Sequence, residues 1–298
     1  MTSAEVADAL ASGMPVVALE STIFSPFGLP APANEEALDR CIAAVRAAGA
    51  IPAVTAVLDG QARVGLDPDE HERILRGGRK VAERDLAVAI ARGESVGVTT
   101  VSASLALAAA TGIDVFATGG IGGVHRGVEE TGDVSADLGA LARHSVVTVC
   151  AGAKAFLDLP RTLEYLETSS VAVLGWRTDE FPMFWCRSSG LPVSDHVEHA
   201  SEVAAVLRAR RALDLPQGVV LAVPVPSADA IDVATIDGAI RTAAEASVRA
   251  GERGAAVTPH ILAAIAEATE GRSVAANLSL AEHNAVVAAE VARAFTAR

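Results

Sequence analysis

Short apolar runs alternate with longer segments of helical periodicity along most of this chain. The first run, Pro15–Leu19, predicts a strand that ends directly before Glu20, and Asn34–Ala50 has the spacing of an amphipathic helix. Chains that alternate strands and helices in this way fold as α/β proteins with a buried, largely parallel sheet. The other predicted strands of this kind are Ile51–Leu58, Asp114–Thr118, Ser145–Cys150, Val171–Gly175 and Gly218–Val223.

One turn makes the predicted sheet a mixed one. Asp59-Gly60 directly follows Ile51–Leu58, and this dipeptide is typical of a two-residue β-hairpin. Ala62–Gly65 is then the antiparallel partner strand. No linker, repeat or low-complexity segment interrupts the 298 residues, so we predict a single domain over residues 1–298.

The composition argues against several classes of function. The net charge is −13, whereas proteins that bind nucleic-acid polymers present basic surfaces. A single nucleotide in a locally basic pocket stays compatible with this charge. No apolar run reaches the roughly 18 residues of a membrane span, and the early acids Glu5 and Asp8 do not fit a secretory signal. We therefore expect a cytoplasmic protein without a membrane partner. The three cysteines have no close spacing, which indicates neither a disulfide framework nor a zinc site.

The basic residues are strongly biased toward arginine. Of 24 lysines and arginines, only Lys80 and Lys154 are lysines. Arginine replaces lysine on most solvated surfaces, but it cannot lose its proton and attack carbon. The two lysines are therefore candidates for a function that requires an amine.

Candidate functional residues follow the predicted strands, where open α/β folds bind their ligands. Glu20 follows the first strand, and the glycine-rich segment Thr118–Arg126 follows a later one. This segment offers backbone N–H groups, His125 and Arg126 to an anion such as phosphate, although glycines also make tight strand-to-helix turns. It is neither a P-loop nor a dinucleotide fingerprint. Lys154 lies in a small-residue turn after a buried strand, where partial burial would favour the free amine.

Asp133, Asp137 and Lys80 each allow more than one interpretation. Asp133 is expected either to cap a helix or to hold a divalent cation through water molecules, with Asp137 about one turn further on. Lys80 is either a surface lysine or a point charge for a phosphate. Phe184, Trp185 and Trp176 are interpreted as core residues rather than as a stacking platform.

Taken together, these segments resemble the pseudouridine-5'-phosphate glycosidases, a family that includes indigoidine synthase A-like proteins. The resemblance covers nearly the whole chain, and its most specific part is Phe116–Gly127. One loop departs from the family pattern, because Ser25–Pro30 lacks the usual histidine and has one extra residue. The other matching segments are Ala18–Ile23, Leu58–Gly60, Lys80-Val81, Arg84-Asp85, Thr99–Val101, Asp133–Leu138, Cys150–Lys154, Thr162–Thr168, Phe181-Pro182, Arg187–Gly190, Asn277 and Asn284.

The resemblance implies a three-layer α/β/α fold, a homotrimer and a set of functional residues. Lys154 is expected to be the nucleophile and Glu20 the proton donor, while Asp133 is expected to bind manganese, with magnesium or iron as alternatives. The expected substrate is pseudouridine 5'-phosphate, and the products are uracil and ribose 5-phosphate. The residues expected to contact the substrate are Lys80, Thr100, Val101, His125, Ser135, Ala136, Asp137 and Asn284.

The expected reaction explains why a lysine is retained at position 154. The bond to be cut joins ribose to a carbon of uracil, so no heteroatom is available for ordinary glycosidase chemistry. A lysine amine that adds to C1' of the opened ribose forms an imine and makes the cleavage stepwise. Two alternatives remain: a Schiff-base lyase acting on another sugar phosphate, and a non-catalytic phosphosugar-binding module. Release of uracil distinguishes the glycosidase from both alternatives.

Overall fold

The fold is described from a computed structural model, which covers residues 2–250 and 257–297. Within these residues the chain forms ten strands, twelve α-helices and one short 3₁₀ turn at Glu83–Asp85. The strands are β1 (Val16–Leu19), β2 (Ile51–Leu58), β3 (Gln61–Val64), β4 (Arg79–Val81), β5 (Val96–Thr99), β6 (Val115–Ala117), β7 (Val147–Cys150), β8 (Ala172–Trp176), β9 (Asp195–Val197) and β10 (Val219–Ala222).

The helices occupy most of the segments between the strands and the whole C-terminal region. They are α1 (Ala4–Ala11), α2 (Ala33–Ala47), α3 (Pro68–Leu75), α4 (Leu86–Ala91), α5 (Val101–Thr111), α6 (Val128–Thr131), α7 (Ala136–Arg143), α8 (Leu159–Thr168), α9 (Ala200–Ala212), α10 (Val233–Ala250), α11 (Val257–Ala268) and α12 (Arg272–Thr296).

The strands form one mixed sheet in the order β4-β5-β2-β1-β6-β7-β10-β8-β9, with β3 on β2. All described pairs are parallel except those of β2 with β3 and with β5. Every residue of β1, β6, β7 and β10 is buried, which requires helices on both faces of the sheet. Accordingly, α12 packs with α2 and α9 against β1, β6 and β7, while α5 packs with α7 and against β1, β2 and β6. The predicted α/β fold with a largely parallel mixed sheet is confirmed.

The predicted hairpin is also confirmed, and its backbone explains the dipeptide. Asp59 and Gly60 have φ values of 50° and 70°, as a two-residue turn of this kind requires at both positions. Helix α3 begins after Asp67, with Pro68 as its first helical residue, a position that proline favours. Among the described residues, no helix is long and apolar enough to cross a membrane. All three cysteines are buried and free.

Three strands and two short helices were not predicted from the sequence. β4 contains Arg79 and Lys80, and β9 contains Asp195 and His196, so neither has an apolar alternation. Both strands lie at the ends of the sheet, where short polar strands are common. The third strand is β5, and the helices are α1 and α6.

Candidate active site

The candidate site lies where two strands of the sheet, β1 and β5, end next to each other. β1 pairs with Ile51–Val54 of β2, and β5 pairs with Ala56–Leu58, so that both strands end beside Thr55. The Thr22 N–H donates to the Thr99 carbonyl oxygen across this junction, with 3.1 Å between N and O. The loops after β1 and β5 therefore lie next to each other and present their residues to the same cavity.

Buried hydroxyl groups hold this junction together. The Thr99 hydroxyl donates to the Thr55 carbonyl oxygen at 2.7 Å and lies 2.8 Å from the Thr55 hydroxyl. The Thr99 N–H donates to Ser21 Oγ at 2.8 Å, and Ser104 Oγ lies 2.8 Å from Thr55 Oγ1. All four side chains are fully buried. Because each hydroxyl has partners, this polar network costs little in desolvation and positions the loop that carries Glu20.

The cavity at this junction has a volume of about 380 Å³. It brings together residues that are far apart in the sequence, including both lysines of the chain. Of the eleven residues predicted for the site, only Asn284 does not line it. The other ten are Glu20, Lys80, Thr100, Val101, His125, Asp133, Ser135, Ala136, Asp137 and Lys154.

Glu20 is a buried residue directly after β1, with 7% of its surface exposed. The Thr118 hydroxyl donates a hydrogen bond to Glu20 Oε1. Burial raises the pKa of the Glu20 carboxyl to about 7, and the charge of Lys154 and the Thr118 hydrogen bond oppose this rise only in part. The negative charge of Asp137 adds to it, and Lys80 opposes it. A carboxyl with this pKa is partly protonated at neutral pH and can serve as a proton donor.

Lys154 is presented by a tight turn after β7. Its N–H donates to the Ile121 carbonyl oxygen at 3.2 Å, and its carbonyl oxygen accepts from the Leu157 N–H at 3.0 Å. Gly152 has φ of 77°, and a Cβ there would lie 2.1 Å from the Pro182 carbonyl oxygen. The turn thus needs glycine, and it leaves Lys154 half-buried at the cavity.

Lys80 faces the same cavity from β4. Burial lowers the pKa of its amine, and the nearby positive charge of Lys154 lowers it further, against the attraction of Asp137 and Glu20. The two lysines that survive the arginine bias are therefore neighbours in the folded protein.

Asp137 connects three elements of the site. Its Oδ1 accepts from the Ser102 N–H at 3.0 Å, and its Oδ2 accepts from the Gly122 N–H at 2.9 Å. The expectation that Asp133 caps this helix is wrong, because α7 begins after Ser135, whose hydroxyl accepts from the Asp137 N–H at 3.2 Å. Asp133 precedes Ser135 in the connecting loop, where its backbone carbonyl oxygen accepts a hydrogen bond from the His125 N–H.

Several backbone N–H groups of the glycine-rich loop, which the sequence predicts to face an anion, are used within the protein. The Ile121 N–H donates to the Gly152 carbonyl oxygen, the Gly122 N–H to Asp137 and the Val124 N–H to Thr162 Oγ1. The glycines instead allow close packing, since a Cβ at Gly120 would lie 2.5 Å from the Phe184 ring. At Gly122 and Gly123, Cβ atoms would lie 2.2 and 2.4 Å from the hydroxyls of Ser135 and Thr162.

The side of the cavity near the start of α5 has cationic side chains, and the Ser102 N–H of this helix already donates to Asp137. Thr100, the residue before α5, makes no capping hydrogen bond through its side chain. Lys80 and Arg84 line the cavity at this end, and Arg84 is exposed. A helix N-terminus beside two cationic side chains is a favourable position for a phosphate.

Asp133 and His125 also line the cavity. Asp133 Oδ2 is 3.9 Å from His125 Nδ1, and the Asp133 side chain is 44% exposed. Burial lowers the pKa of His125, Asp133 opposes this, and the charge of Lys154 lowers it further. Within residues 2–250 and 257–297, no group of three or more His, Cys, Asp or Glu side chains is arranged to hold a metal ion.

A second, smaller cavity of about 50 Å³ adjoins the first. Glu20, Lys80, Lys154 and Thr22 border both cavities. The small cavity is otherwise mostly apolar, and its remaining walls include Ile23, Phe27, Thr118, Phe184, Leu262 and Asn277.

Phe184 and Asn277 are held firmly at the small cavity. Phe184 has φ of 56°, an uncommon backbone conformation for an aromatic residue, and its N–H donates to the Ala151 carbonyl oxygen at 3.0 Å. Asn277 Oδ1 accepts from the Trp185 indole N–H at 2.8 Å, which orients the Asn277 amide. Phe184 and Trp185 are buried, as predicted, but sequence reasoning missed that Phe184 borders a cavity.

Comparison with known proteins gives consistent matches over the whole chain. A family model described as indigoidine synthase A like protein matches residues 5–294. A protein of Methylobacterium nodulans named pseudouridine-5'-phosphate glycosidase is 51% identical over 294 residues, which are 98% of this chain and 86% of the relative.

Two solved structures have the same fold. The prealnumycin C-glycosynthase AlnA, crystallised in complex with ribulose 5-phosphate, is 37% identical with a TM-score of 0.91, covering 100% of this chain and 97% of that one. An indigoidine synthase A-like protein of Thermotoga maritima is 35% identical with a TM-score of 0.88, covering 95% of this chain and 94% of that one.

Proposed function

Because this chain belongs to the indigoidine synthase A-like family, we propose that it is a pseudouridine-5'-phosphate glycosidase, which reversibly cleaves the C–C bond between uracil and ribose 5-phosphate. The name of the Methylobacterium relative supports the substrate, and the ribulose 5-phosphate bound by AlnA supports a sugar phosphate in the site. The observation that best supports this reaction is that Glu20 and Lys154 border both cavities.

The two cavities suit the two halves of the substrate. The larger one holds the ribose 5-phosphate, with the phosphate near Lys80, Arg84 and the start of α5. The smaller one holds the uracil ring against Phe184, with the Nδ2 donor of the Asn277 amide directed to a uracil oxygen. The scissile bond then lies between the cavities, beside Glu20 and Lys154.

Lys154 supplies the nucleophile. Its amine forms a bond to C1' as the ribose ring opens, while the C1'–O4' bond breaks and O4' takes up a proton. After a proton is added to uracil C5, the C1'–C5 bond breaks and its electron pair goes to uracil. The remaining C1'=N iminium of ribose 5-phosphate is hydrolysed by water, which regenerates the amine.

Glu20 supplies one of these protons, to O4' or to C5. Its pKa of about 7 keeps a large share of it protonated at neutral pH, which matches a general acid to its operating pH. Its position beside the Lys154 amine places acid and nucleophile on the same substrate carbon skeleton.

A divalent cation is also part of this proposal, with manganese as the first choice and magnesium or iron as alternatives. The residues fit a weakly held ion, because Asp133 offers one half-exposed carboxylate and water or substrate oxygens would complete the shell. When bound, such an ion orients oxygen atoms of the substrate and offsets their negative charge. Asp133 would hold it, with His125 Nδ1 at 3.9 Å from the Asp133 carboxylate.

The function is tested by incubating the protein with pseudouridine 5'-phosphate and manganese and measuring uracil release. Borohydride reduction followed by intact-mass analysis detects the ribose phosphate adduct, and Lys154→Ala and Lys154→Arg are the controls. We expect uracil release and an adduct in the natural protein, both lost in the two variants. A folded, metal-supplied protein that releases no uracil contradicts the proposal.

The same experiment separates the alternatives. An adduct with ribose 5-phosphate without uracil release indicates a Schiff-base lyase for another sugar phosphate, and no adduct at all indicates a binding module. The name of AlnA also makes C–C bond formation a second candidate direction, which uses the same groups in reverse. Incubation with uracil and ribose 5-phosphate tests it.

A homotrimer, also proposed, is tested by mass photometry.

A further inference from the structure

The loop after β6 touches the catalytic carboxyl through one residue. Thr118 is buried, and its hydroxyl donates to Glu20 Oε1 on the loop after β1, the neighbouring strand in the sheet. A hydroxyl has a single hydrogen to donate. With this hydrogen on Oε1, the transferable proton of a protonated Glu20 resides on Oε2.

Thr118 is itself held from two sides. Its N–H donates to the Val149 carbonyl oxygen of β7 at 3.0 Å, and its carbonyl oxygen accepts from Asn284 Nδ2 of α12 at 2.8 Å. Asn284 Nδ2 also lies 3.3 Å from the Gly119 carbonyl oxygen. Asn284 is 1% exposed.

The orientation of the Asn284 amide shows which of its atoms is used. Asn284 Oδ1 is buried and has no hydrogen-bond partner among the described residues, an arrangement that costs free energy. The two carbonyl oxygens of the loop therefore determine the orientation, and Asn284 serves the loop rather than the cavity.

We propose that Thr118 is a positioning residue that fixes the Glu20 carboxyl with Oε2 as its proton-carrying oxygen, and that Asn284 holds Thr118 in place. This inference rests on the proposed function, in which Glu20 is the proton donor. The other charged groups that act on Glu20 are Lys154 after β7, Asp137 on α7 and Lys80 on β4, and none of them forms a hydrogen bond with its carboxyl in the described structure.

The test compares Thr118→Val with Thr118→Ser, which keeps the hydroxyl. Thr148→Val is a matched control, because Thr148 is a fully buried threonine on the adjacent strand β7, and its hydroxyl has no partner within the described part of the chain. For each protein, kcat for uracil release is measured against pH, and KM is measured at the optimum.

Loss of the hydrogen bond removes support from the ionised carboxyl, so its pKa rises in Thr118→Val. We expect the alkaline limb of the profile to move upward by about one pH unit, with kcat lowered at least about tenfold and KM little changed. Thr118→Ser and Thr148→Val are expected to keep the natural limb. An unshifted Thr118→Val profile, or an equal shift in Thr148→Val, overturns the proposal.

A second measurement needs no substrate. Infrared difference spectroscopy of the free protein follows the protonated carboxyl band of Glu20, assigned with Glu20→Gln. The band should persist to higher pH in Thr118→Val than in the natural protein. If Thr118→Val does not fold, Asn284→Ala replaces it and should shift the band in the same direction. If the natural protein releases no uracil, the proposed function fails, while this titration still decides whether Thr118 governs Glu20.

Discussion

The carboxylate of Asp137 accepts a hydrogen bond from the backbone N–H of Gly122, with 2.9 Å between N and Oδ2. The same carboxylate accepts from the Ser102 N–H at 3.0 Å. One buried side chain thus joins the start of α7, the first turn of α5 and the glycine-rich loop. It also occupies an N–H group that the loop pattern offers to a phosphate.

Asp137→Ala leaves two backbone N–H groups without their acceptor. We expect the free energy of unfolding to fall by about 2 kcal/mol or more, measured by urea denaturation at pH 7. Asp133→Ala is the control, because the Asp133 carboxylate is half-exposed and lies 3.9 Å from His125, and it should change the free energy by less than about 0.5 kcal/mol. Equal losses in the two variants would contradict the structural role of Asp137.

Glu20→Gln should stabilise the protein at alkaline pH. Burial raises the pKa of Glu20 from 4.5 to about 7, so the folded state binds a proton that the unfolded state has released between these values. Stability contributed by this group is present below pH 4.5 and is lost as pH rises toward 7. The variant avoids that loss, and its free energy of unfolding should exceed that of the natural protein by about 3 kcal/mol at pH 8.

Urea denaturation at pH 4.5 and pH 8 checks this expectation. The two proteins should be nearly equal in stability at the lower pH. A constant difference between them at both values would show that Glu20 does not titrate in this range.

Lys80→Arg should show which of the two lysines in the cavity forms the imine. Burial and the charge of Lys154 lower the pKa of Lys80, which makes Lys80 the competing amine for imine formation. If Lys154 is the nucleophile, Lys80→Arg keeps the borohydride-trapped adduct, whereas Lys154→Arg loses it together with at least about 10³-fold in kcat. Peptide mapping of the adduct decides the assignment, and an adduct on position 80 would refute it.

Gly120→Ala should disturb the small cavity. The new Cβ would lie 2.5 Å from Phe184 Cδ2, so the ring must move, at a cost of about 1–3 kcal/mol. We expect uracil release to fall and the KM for uracil in the reverse reaction to rise. Gly238→Ala is the matched control, because its Cβ meets no atom within 4 Å and lies on α10, where alanine favours the helix. Unchanged KM in Gly120→Ala would argue against a base site beside Phe184.

The sequence pattern predicts the elements that carry their own signal. β1, β2 and β7 are apolar runs of the right length, and the Asp59-Gly60 turn has the dipeptide that its backbone requires. β4 and β9 escape prediction because their polar residues become strands only through pairing at the sheet ends. No periodicity marks them.

Ten of the residues that line the larger cavity are predicted from the sequence and the motif resemblance, but their contacts are not. The sequence alone indicates Glu20 and Lys154 as chemical groups, and the arginine bias marks the two lysines. It does not indicate that Thr118, which lies 98 residues from Glu20, donates to its carboxyl. Nor does it show that Asp137 and Thr162 occupy the N–H groups of the glycine-rich loop.

The division has a physical reason. Hydrophobic period, turn dipeptides and residue chemistry are local properties, so the sequence by itself determines an α/β chain with an amine and a carboxyl after its strands. Strand order is a long-range property, and it decides that β1 and β5 end together beside Thr55. Only that tertiary arrangement buries Glu20 next to Lys154 and raises its pKa, because desolvation and charge proximity exist only in the folded protein.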